Sequence, residues 1–589
     1  MDRKQVKWLA AQQLFPWDKE TLRSHLSVLR GEKAPSRVLQ NATYLSSARK
    51  AWLEGHIWIY EDRIVYAGKD WPAITTDTDI TDCSGKYVVP GYIEPHAHPF
   101  QLYNPHTLAE YASLRGTTTL VNDNMFFFLN IEKEKALTLV EDLNQLPTSM
   151  FWWARYDAQT ELEEEDSIFS PSQMKAWLEH PLVLQGGELT SWPKVMTGDD
   201  TVLHWMQYTK ELNKPIEGHL PGASARTINQ MALLGVTGDH EAMTGEEALR
   251  RLDAGMTTSL RYSSIRPDLP VILEELLEAG ITDFSRFTFN TDGSTPSFYK
   301  QGVIDKTIAI ALEKGVPEIE AYEMGSYNNA RHFGVDDEIG MIAPGRIAHL
   351  NILESPQNPV PEAVMAKGSW ILKDGENHYP PRDFKWSSYG VHPFMIDWHL
   401  REEDLHFSMP MGIELVNSVI LKPYQMTIDV TTDELNEDHD QCFFVMFDRF
   451  GKWRINTVIK GFGTSIGGFA TTYSNTGDIV LIGKKKKDMV KAFNELKNHD
   501  GGMFLVEDEQ VIESIPLKLF GAMSLEPMGN VIEQHERMDQ ALKARGYPHE
   551  DPVYSMLFFS STHLPYIRIT QKGIFDVHKK TVLFPSIMR

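Results

Sequence analysis

Short apolar runs alternate with amphipathic, helix-forming runs between residues 88 and about 335. The apolar runs predict strands at 117–122, 181–185, 214–218 and 256–260. The amphipathic runs predict helices at 132–143, 171–179, 199–212 and 245–254. Strands that alternate with helices form parallel sheets. Roughly eight such units in about 250 residues predict an α/β fold, a (β/α)8 TIM-like barrel.

The pattern on either side of this region is mainly β-like. Short alternating runs with turn residues fill the segment before the barrel, and a β-pattern returns at 340–353, after it. From about residue 385 the chain is β-rich with a few helices, including one at 487–496, which indicates an α+β domain. The predicted units are an N-terminal helical arm that packs by its aromatic residues (1–37), a small composite β-domain (38–88 plus 336–384), the barrel (89–335) and a C-terminal domain (385–589).

Composition narrows the class of protein. The 589 residues carry a net charge of −24, from 57 basic and 81 acidic side chains. An acidic surface disfavours nucleic acid and anionic membranes as partners. Neither a signal-peptide core nor an apolar stretch of 18 residues is present, so we predict no membrane span and a cytoplasmic location. The run at 484–487, four lysines, is interpreted as a solvated turn between a strand and a helix.

The two cysteines argue against thiolate chemistry. Cys83 and Cys442 are far apart and follow no metal-ligand spacing, which favours a reducing compartment. A zinc deaminase of the Cys-rich type needs a Pro-Cys-x-x-Cys element, which the chain lacks.

Candidate metal ligands stand where predicted strands end. His96 and His98 close an apolar run, and alternate residues of a strand share a face, so the two imidazoles should point together. Two neutral imidazoles side by side indicate a shared metal ion. Catalytic groups of such barrels lie at the C-terminal strand ends. Four further residues stand there: Glu188, His219, His240 and Asp292.

Each of these residues, taken alone, could be structural. A histidine at a strand end is often hydrogen-bonded in the core, and an acidic residue there often caps a helix. Their joint placement in one barrel favours function, because four histidines and two carboxylates would converge on one face. Six ligands suit two divalent ions bridged by a carboxylate.

At these residues the chain resembles the amidohydrolase superfamily and, within it, the adenine deaminase family of Bacillus-type bacteria. Glu188 stands where many amidohydrolases carry a carbamylated lysine that bridges two metals. The matching elements are Pro90-Gly91-x-x-x-x-His96-x-His98, Gly218-His219-x-Pro221-Gly222, Asp239-His240-Glu241, Asn328-x-Ala330-Arg331, Ile459-Lys460-Gly461-Phe462-Gly463 and Gly501-Gly502-Met503.

Two elements depart from the family pattern. Asn122-Asp123-Asn124 stands where the family carries Asp-Pro-His-Glu, and Tyr473-Ser474-Asn475-Thr476 stands where it carries His-Asp-Ser-His-Asn. Both would be expected near the pocket. The resemblance therefore supports the metal machinery better than the adenine specificity.

The resemblance implies a hydrolase of purine metabolism that converts adenine and water to hypoxanthine and ammonia. Two divalent ions, Mn²⁺ or Fe²⁺ in preference to Zn²⁺, would be held by the six ligands, with Glu188 as the bridge. Metal-bound hydroxide would attack C6 and Asp292 would take its proton. Glu241 would protonate a ring nitrogen or else support His240.

Three residues are candidates for binding the substrate, a purine base. Arg261 would hold the purine edge or form a structural ion pair, and Asp123 and His106 are weaker pocket candidates. A homo-oligomer is possible only on the general ground that large cytosolic enzymes often form one.

Other functions stay open at this point. The alternatives are an amidohydrolase that opens a cyclic amide, as dihydroorotase-like and hydantoinase-like enzymes do, a deaminase of another aminopurine or of a pterin, and a non-catalytic, metal-stabilised binding protein.

Overall fold

The centre of the molecule is a barrel of eight parallel strands. The computed structural model describes residues 18–160, 162 and 165–589. The strands pair in chain order, and the eighth contacts the first. Thr291, just after the eighth strand, donates through its backbone N and its hydroxyl to Glu94 Oε2 in the first, at 2.8 and 2.7 Å. The predicted barrel is confirmed. Its strands are Tyr92–Ala97, Thr117–Asp123, Ser149–Ala154, Val183–Leu189, Ile216–Gly218, Gly238–Asp239, Thr257–Arg261 and Phe287–Asn290.

Helices follow the barrel strands and cover them. Local sequence explains their ends: helix Gly245–Asp253 begins at Thr244, whose hydroxyl accepts from the backbone N of Glu247 at 3.2 Å. Its other end carries basic residues, which suit the helix dipole. The longer helices are Pro105–Leu114, Lys133–Leu143, Pro171–Glu179, Asp200–Glu211, Ala225–Leu233, Gly245–Asp253, Leu269–Glu278 and Ile304–Lys314. The shorter ones are Met125–Asn130, Glu165–Ile168, Trp192–Met196, Glu318–Met324 and Tyr327–Phe333.

A second sheet joins segments from both sides of the barrel in the sequence. Strand Leu350–Leu353 pairs antiparallel with Tyr87–Pro90, the strand that leads into the barrel. Its nine strands are Arg37–Ser46, Ala51–Tyr60, Arg63–Gly68, Asp79–Asp82, Tyr87–Pro90, Leu350–Leu353, Ala363–Ala366, Ser369–Lys373 and Glu376–Asn377. Helix Lys19–Leu29 precedes the sheet, while the predicted packing of Trp8, Phe15 and Trp17 lies outside the described residues.

The C-terminal part contains a nine-stranded sheet, a three-stranded sheet and two long helices, Lys486–Asn498 and Met528–Ala544. The larger sheet consists of Met411–Leu415, Leu421–Gln425, Gln441–Phe447, Trp453–Lys460, Gly468–Thr471, Ile479–Gly483, Gly502–Glu507, Gln510–Pro516 and Ile587–Met588. The smaller consists of Ile567–Thr570, Gly573–Asp576 and Thr581–Pro585. This part contacts barrel loops: the hydroxyl of Thr160 donates to Ser560 O at 2.8 Å, and Tyr473 bonds Gln101.

Two further expectations from the sequence can be compared with the fold. The solvated turn predicted at 484–487 is wrong for Lys484, which is 1% exposed. Its ammonium donates to the carbonyls of Asn436 and His439 at 2.5 and 2.7 Å, so burial is balanced by hydrogen bonds. Within the described part of the chain, no helix is both long and apolar enough to span a membrane.

Candidate metal centre

All six predicted ligands lie together at the C-terminal end of the barrel. His96 is in the first strand and His98 follows it, Glu188 is in the fourth, and His219, His240 and Asp292 follow the fifth, sixth and eighth. Several triads place one ligand atom from each residue within 4.8 Å of the others. These triads are His96–His98–Glu188, Glu188–His219–His240, His96–Glu217–His240 and His240–Glu241–Asp292.

Glu188 lies between two pairs of histidines. Its Oε2 is 3.9 Å from Nε2 of both His96 and His98. Its Oε1 is 3.6 Å from His240 Nε2 and closest to His219 Nδ1. Asp292 belongs to the first pair, because its Oδ1 is 3.0 Å from His98 Nε2. One carboxylate oxygen faces each pair, which is the arrangement a bridging carboxylate needs.

Several ring nitrogens of this cluster lack hydrogen bonds. Both ring nitrogens of His96 and Nε2 of His240 are buried without a hydrogen-bond partner among the described residues. Buried polar atoms are normally bonded, so a cluster of unbonded ones calls for a ligand. Imidazole nitrogens and carboxylate oxygens together form a donor set suited to divalent transition metals. The residues present therefore fit a metal centre.

Carboxylates behind the cluster fix two of its histidines. Glu217 Oε1 is 3.1 Å from His240 Nδ1, and Asp123 Oδ2 is 2.9 Å from His98 Nδ1. Each contact leaves Nε2 facing the cluster, as in the carboxylate–histidine–metal arrangement. Burial alone would lower the pKa of His98, but the contacts with Asp123 and Asp292 raise it to about 9.

A buried arginine balances the carboxylates on this side. Arg155, just after the third strand, contacts Asp123 at 2.9 Å through Nε and Glu188 Oε2 at 2.8 Å through Nη2. Burial would raise the pKa of Glu188, but Arg155 and His219 hold it well below its usual range. The backbone beside Glu188 admits no side chain: a Cβ on Gly186 would lie 2.0 Å from Tyr156 Oη.

A second arginine joins the two candidate proton carriers. Arg261 Nη1 donates to Glu241 at 2.7 Å and to Asp292 at 2.6 Å, and Arg266 approaches Glu241 at 3.3 Å. Burial would raise the pKa of Glu241, but Arg261 and the neighbouring histidines lower it strongly. The structure thus places Arg261 in an ion-pair network, the second of the two roles considered for it.

His106 is not brought to the cluster. It lies in helix Pro105–Leu114, and its ring packs against Phe384 with centroids 4.9 Å apart. Its backbone N is bonded to Asn104. No recorded contact of the described residues joins it to the six ligands, so a role in substrate binding has no support in the geometry.

Sequence reasoning missed several residues that surround the cluster. Arg155 could have been found, because it lies directly after a barrel strand, whereas Glu217 lies within one. The Trp153 ring stacks on His96 with centroids 4.5 Å apart. His563, from the C-terminal part, has its ring centroid 5.7 Å from that of His219. No local pattern points from His563 to a barrel 300 residues earlier in the chain.

Comparison with known proteins identifies the relatives of this chain. Residues 87–371 match the amidohydrolase family, and residues 418–581 match the adenine deaminase C-terminal domain. A protein of Halalkalibacterium halodurans named "Putative adenine deaminase" is 59% identical over 98% of this chain and 100% of its own. One of Bacillus subtilis with the same name is 49% identical, again over 98% and 100%.

The chain belongs to the adenine deaminase family. The resemblance seen in the sequence motifs is thereby confirmed. Among solved structures, the β-aspartyl dipeptidase of Fervidobacterium islandicum AW-1 is 17% identical and covers 59% of this chain and 99% of its own, with a TM-score of 0.45.

Proposed function

We propose that this protein deaminates adenine hydrolytically, releasing hypoxanthine and ammonia. The observation that carries the proposal is the cluster of buried imidazole nitrogens without hydrogen bonds around Glu188, in a chain of the adenine deaminase family. We also propose the domain boundaries predicted from the sequence. They are supported by the second sheet, which combines strands from before and after the barrel.

We propose that two divalent ions are held by the six residues at the barrel's C-terminal end. His96 and His98 would hold one ion and His219 and His240 the other, with Glu188 shared and Asp292 beside the first pair. When bound, such ions lower the pKa of water and so supply a nucleophile at neutral pH. Nitrogen and oxygen ligands suit Mn²⁺, Fe²⁺ or Zn²⁺, and the family resemblance favours Mn²⁺ or Fe²⁺.

The carboxylates would move the protons of the reaction. Asp292 would accept a proton from the attacking water, and Glu241 would pass one to a ring nitrogen as the oxygen bonds to C6. Ligand oxygens of the two residues lie within 4.8 Å of one another. Because Arg261 and Arg266 favour the ionised form of Glu241, it must take up a proton before it donates one. The proton that Asp292 accepts would return to Glu241, so both carboxylates end the cycle as they began it. The C6–N bond then breaks, and ammonia leaves with the remaining proton of the water.

The C-terminal part would close the substrate pocket. The carbonyl of Gln159 lies 3.2 Å from His563 Nδ1, which fixes the imidazole with Nδ1 as donor. His563 Nε2 is then an acceptor near His219, suited to an N–H group of the base. Asp123, bonded to Arg155 and His98, would position the metal ligands rather than bind the purine.

The test is an assay of ammonia release by the Mn²⁺-loaded protein. Adenine is compared with other aminopurines, pterins and cyclic amides, and ring opening of the amides is followed separately. We expect adenine to be turned over with the highest kcat/KM. Turnover of a cyclic amide without ammonia would contradict deamination, and no turnover of any compound by the metal-loaded protein would favour a binding role.

A further inference from the structure

A second concave site lies at the opposite end of the barrel from the metal centre. It is a cavity of about 540 Å³ at the N-terminal ends of the last four barrel strands. Its walls come from the segments that lead into those strands, such as Lys214 and Arg286, and from helix Tyr327–Phe333. The metal ligands of the same strands are at their other ends, so the two sites are separate.

Four basic side chains line this cavity and no acidic residue does. They are Lys210, Lys214, Arg286 and Arg331. None of the four has an ion-pair partner within 4.0 Å in the part of the chain that the structure describes. In a protein with a net charge of −24, four basic side chains without an ion pair around one cavity form a local patch of positive charge.

Two of these cations are held in place by the backbone. Lys214 donates to the carbonyls of Leu178 and His180 at 2.5 and 3.0 Å. Arg286 donates through Nη1 to Gly255 O at 2.8 Å, which leaves its other guanidinium N–H groups for a ligand. Arg331 is exposed at the rim. The cavity thus offers both buried and exposed donors for an anion.

We propose that this cavity binds a small sugar phosphate. Guanidinium and ammonium groups without carboxylate partners recognise phosphate through charge-assisted hydrogen bonds. The remaining polar side chains of the wall, including Asn213 and Ser285, suit the hydroxyl groups of a sugar. The volume is that of a site for a small metabolite. This inference does not depend on the proposed deamination.

The experiment is calorimetric titration of the metal-loaded full chain at low ionic strength. The probes are ribose 5-phosphate, inorganic phosphate and ribose. A triple variant, Lys210→Gln with Arg286→Gln and Arg331→Gln, removes three charges and keeps Lys214 with its carbonyl contacts. The control, Lys69→Gln with Arg226→Gln, removes two exposed charges away from the cavity. Thermal melting checks that each variant is folded.

We expect wild type and control to bind ribose 5-phosphate, ribose not to bind, and the triple variant to bind at least about tenfold more weakly, because three charge-assisted contacts are lost. Tighter binding of ribose 5-phosphate than of inorganic phosphate supports a sugar phosphate; equal binding would reassign the cavity to free phosphate. No binding by wild type, or equal affinity of wild type and triple variant, overturns the proposal. If the triple variant does not fold, Arg331→Gln alone takes its place and must still weaken binding.

Discussion

Two buried histidines of this molecule, His96 and His349, have opposite environments. His349 lies at the N-terminal end of the barrel, next to the second sheet. Its Nε2 is 2.9 Å from Ser149 Oγ, and its Nδ1 accepts from the backbone N of Lys367 at 3.4 Å. His96 is equally buried, but neither of its nitrogens is bonded within the described structure. In the sequence, each is a histidine at one end of an apolar, strand-forming run.

The difference separates a structural histidine from a ligand. A buried imidazole whose two nitrogens are bonded stabilises the fold, whereas one that faces carboxylates with free nitrogens is prepared for a cation. The strand-end position of His96 matters for the same reason, since function in such barrels collects at the C-terminal ends of the strands. The first predictions below concern the metal cluster around His96, and the last concerns His349.

The largest effect is expected for Glu188→Ala. One oxygen of Glu188 faces each histidine pair, so its loss should abolish metal binding and activity together. The expected loss is much larger than the about 10–100-fold typical of a residue that only supports a metal ligand. Elemental analysis and the ammonia assay measure the two effects. Full metal occupancy in this variant would contradict the bridging role.

Glu241→Gln should leave the metal content unchanged and reduce kcat by about 10²–10⁴-fold, the usual contribution of a general acid or base. The neutral amide keeps the shape and a contact with Arg261, so the loss would be chemical. Loss of metal from this variant would instead make Glu241 a ligand.

Glu217→Ala should weaken metal binding or activity by about 10–100-fold, because His240 loses the carboxylate that orients its ring. Glu217→Gln is the matched control: its amide oxygen can still accept from His240 Nδ1, so part of the affinity should return. Equal metal affinity in wild type and Glu217→Ala would show that this contact does not orient the ligand.

His349→Asn should change the pH dependence of the free energy of unfolding and leave the metal content unchanged. Burial and Lys367 lower the pKa of His349 to about 3. Below pH 6.5 the unfolded chain binds a proton that the folded chain does not, so stability is lost as the pH falls. The advantage of wild type over the variant in urea denaturation should shrink as the pH falls below 6.5, with a slope that approaches about 1.4 kcal/mol per pH unit near pH 5. An advantage independent of pH would contradict a neutral, buried His349.

Much of this molecule could be predicted from its sequence. The alternation of apolar and amphipathic runs and their spacing identified the barrel. Helix Pro171–Glu179 has the predicted bounds. The six candidate ligands were found because each ends a strand, and strand ends meet in a barrel. Glu217 was missed because it lies within its strand, and His563 because its contact with the cluster joins distant parts of the chain. The burial of Lys484 depends on carbonyls of another loop, which no local pattern reveals.

The central claim is that the imidazoles with unbonded ring nitrogens form a metal centre. The most direct measurement is the metal content of three purified proteins. Wild type, His96→Asn and His349→Asn are loaded with Mn²⁺, desalted and analysed for metal per chain, with thermal melting as a check on folding. The account predicts two equivalents in wild type and in His349→Asn, and a loss of metal and of ammonia release in a folded His96→Asn. Equal metal content in wild type and His96→Asn would contradict it.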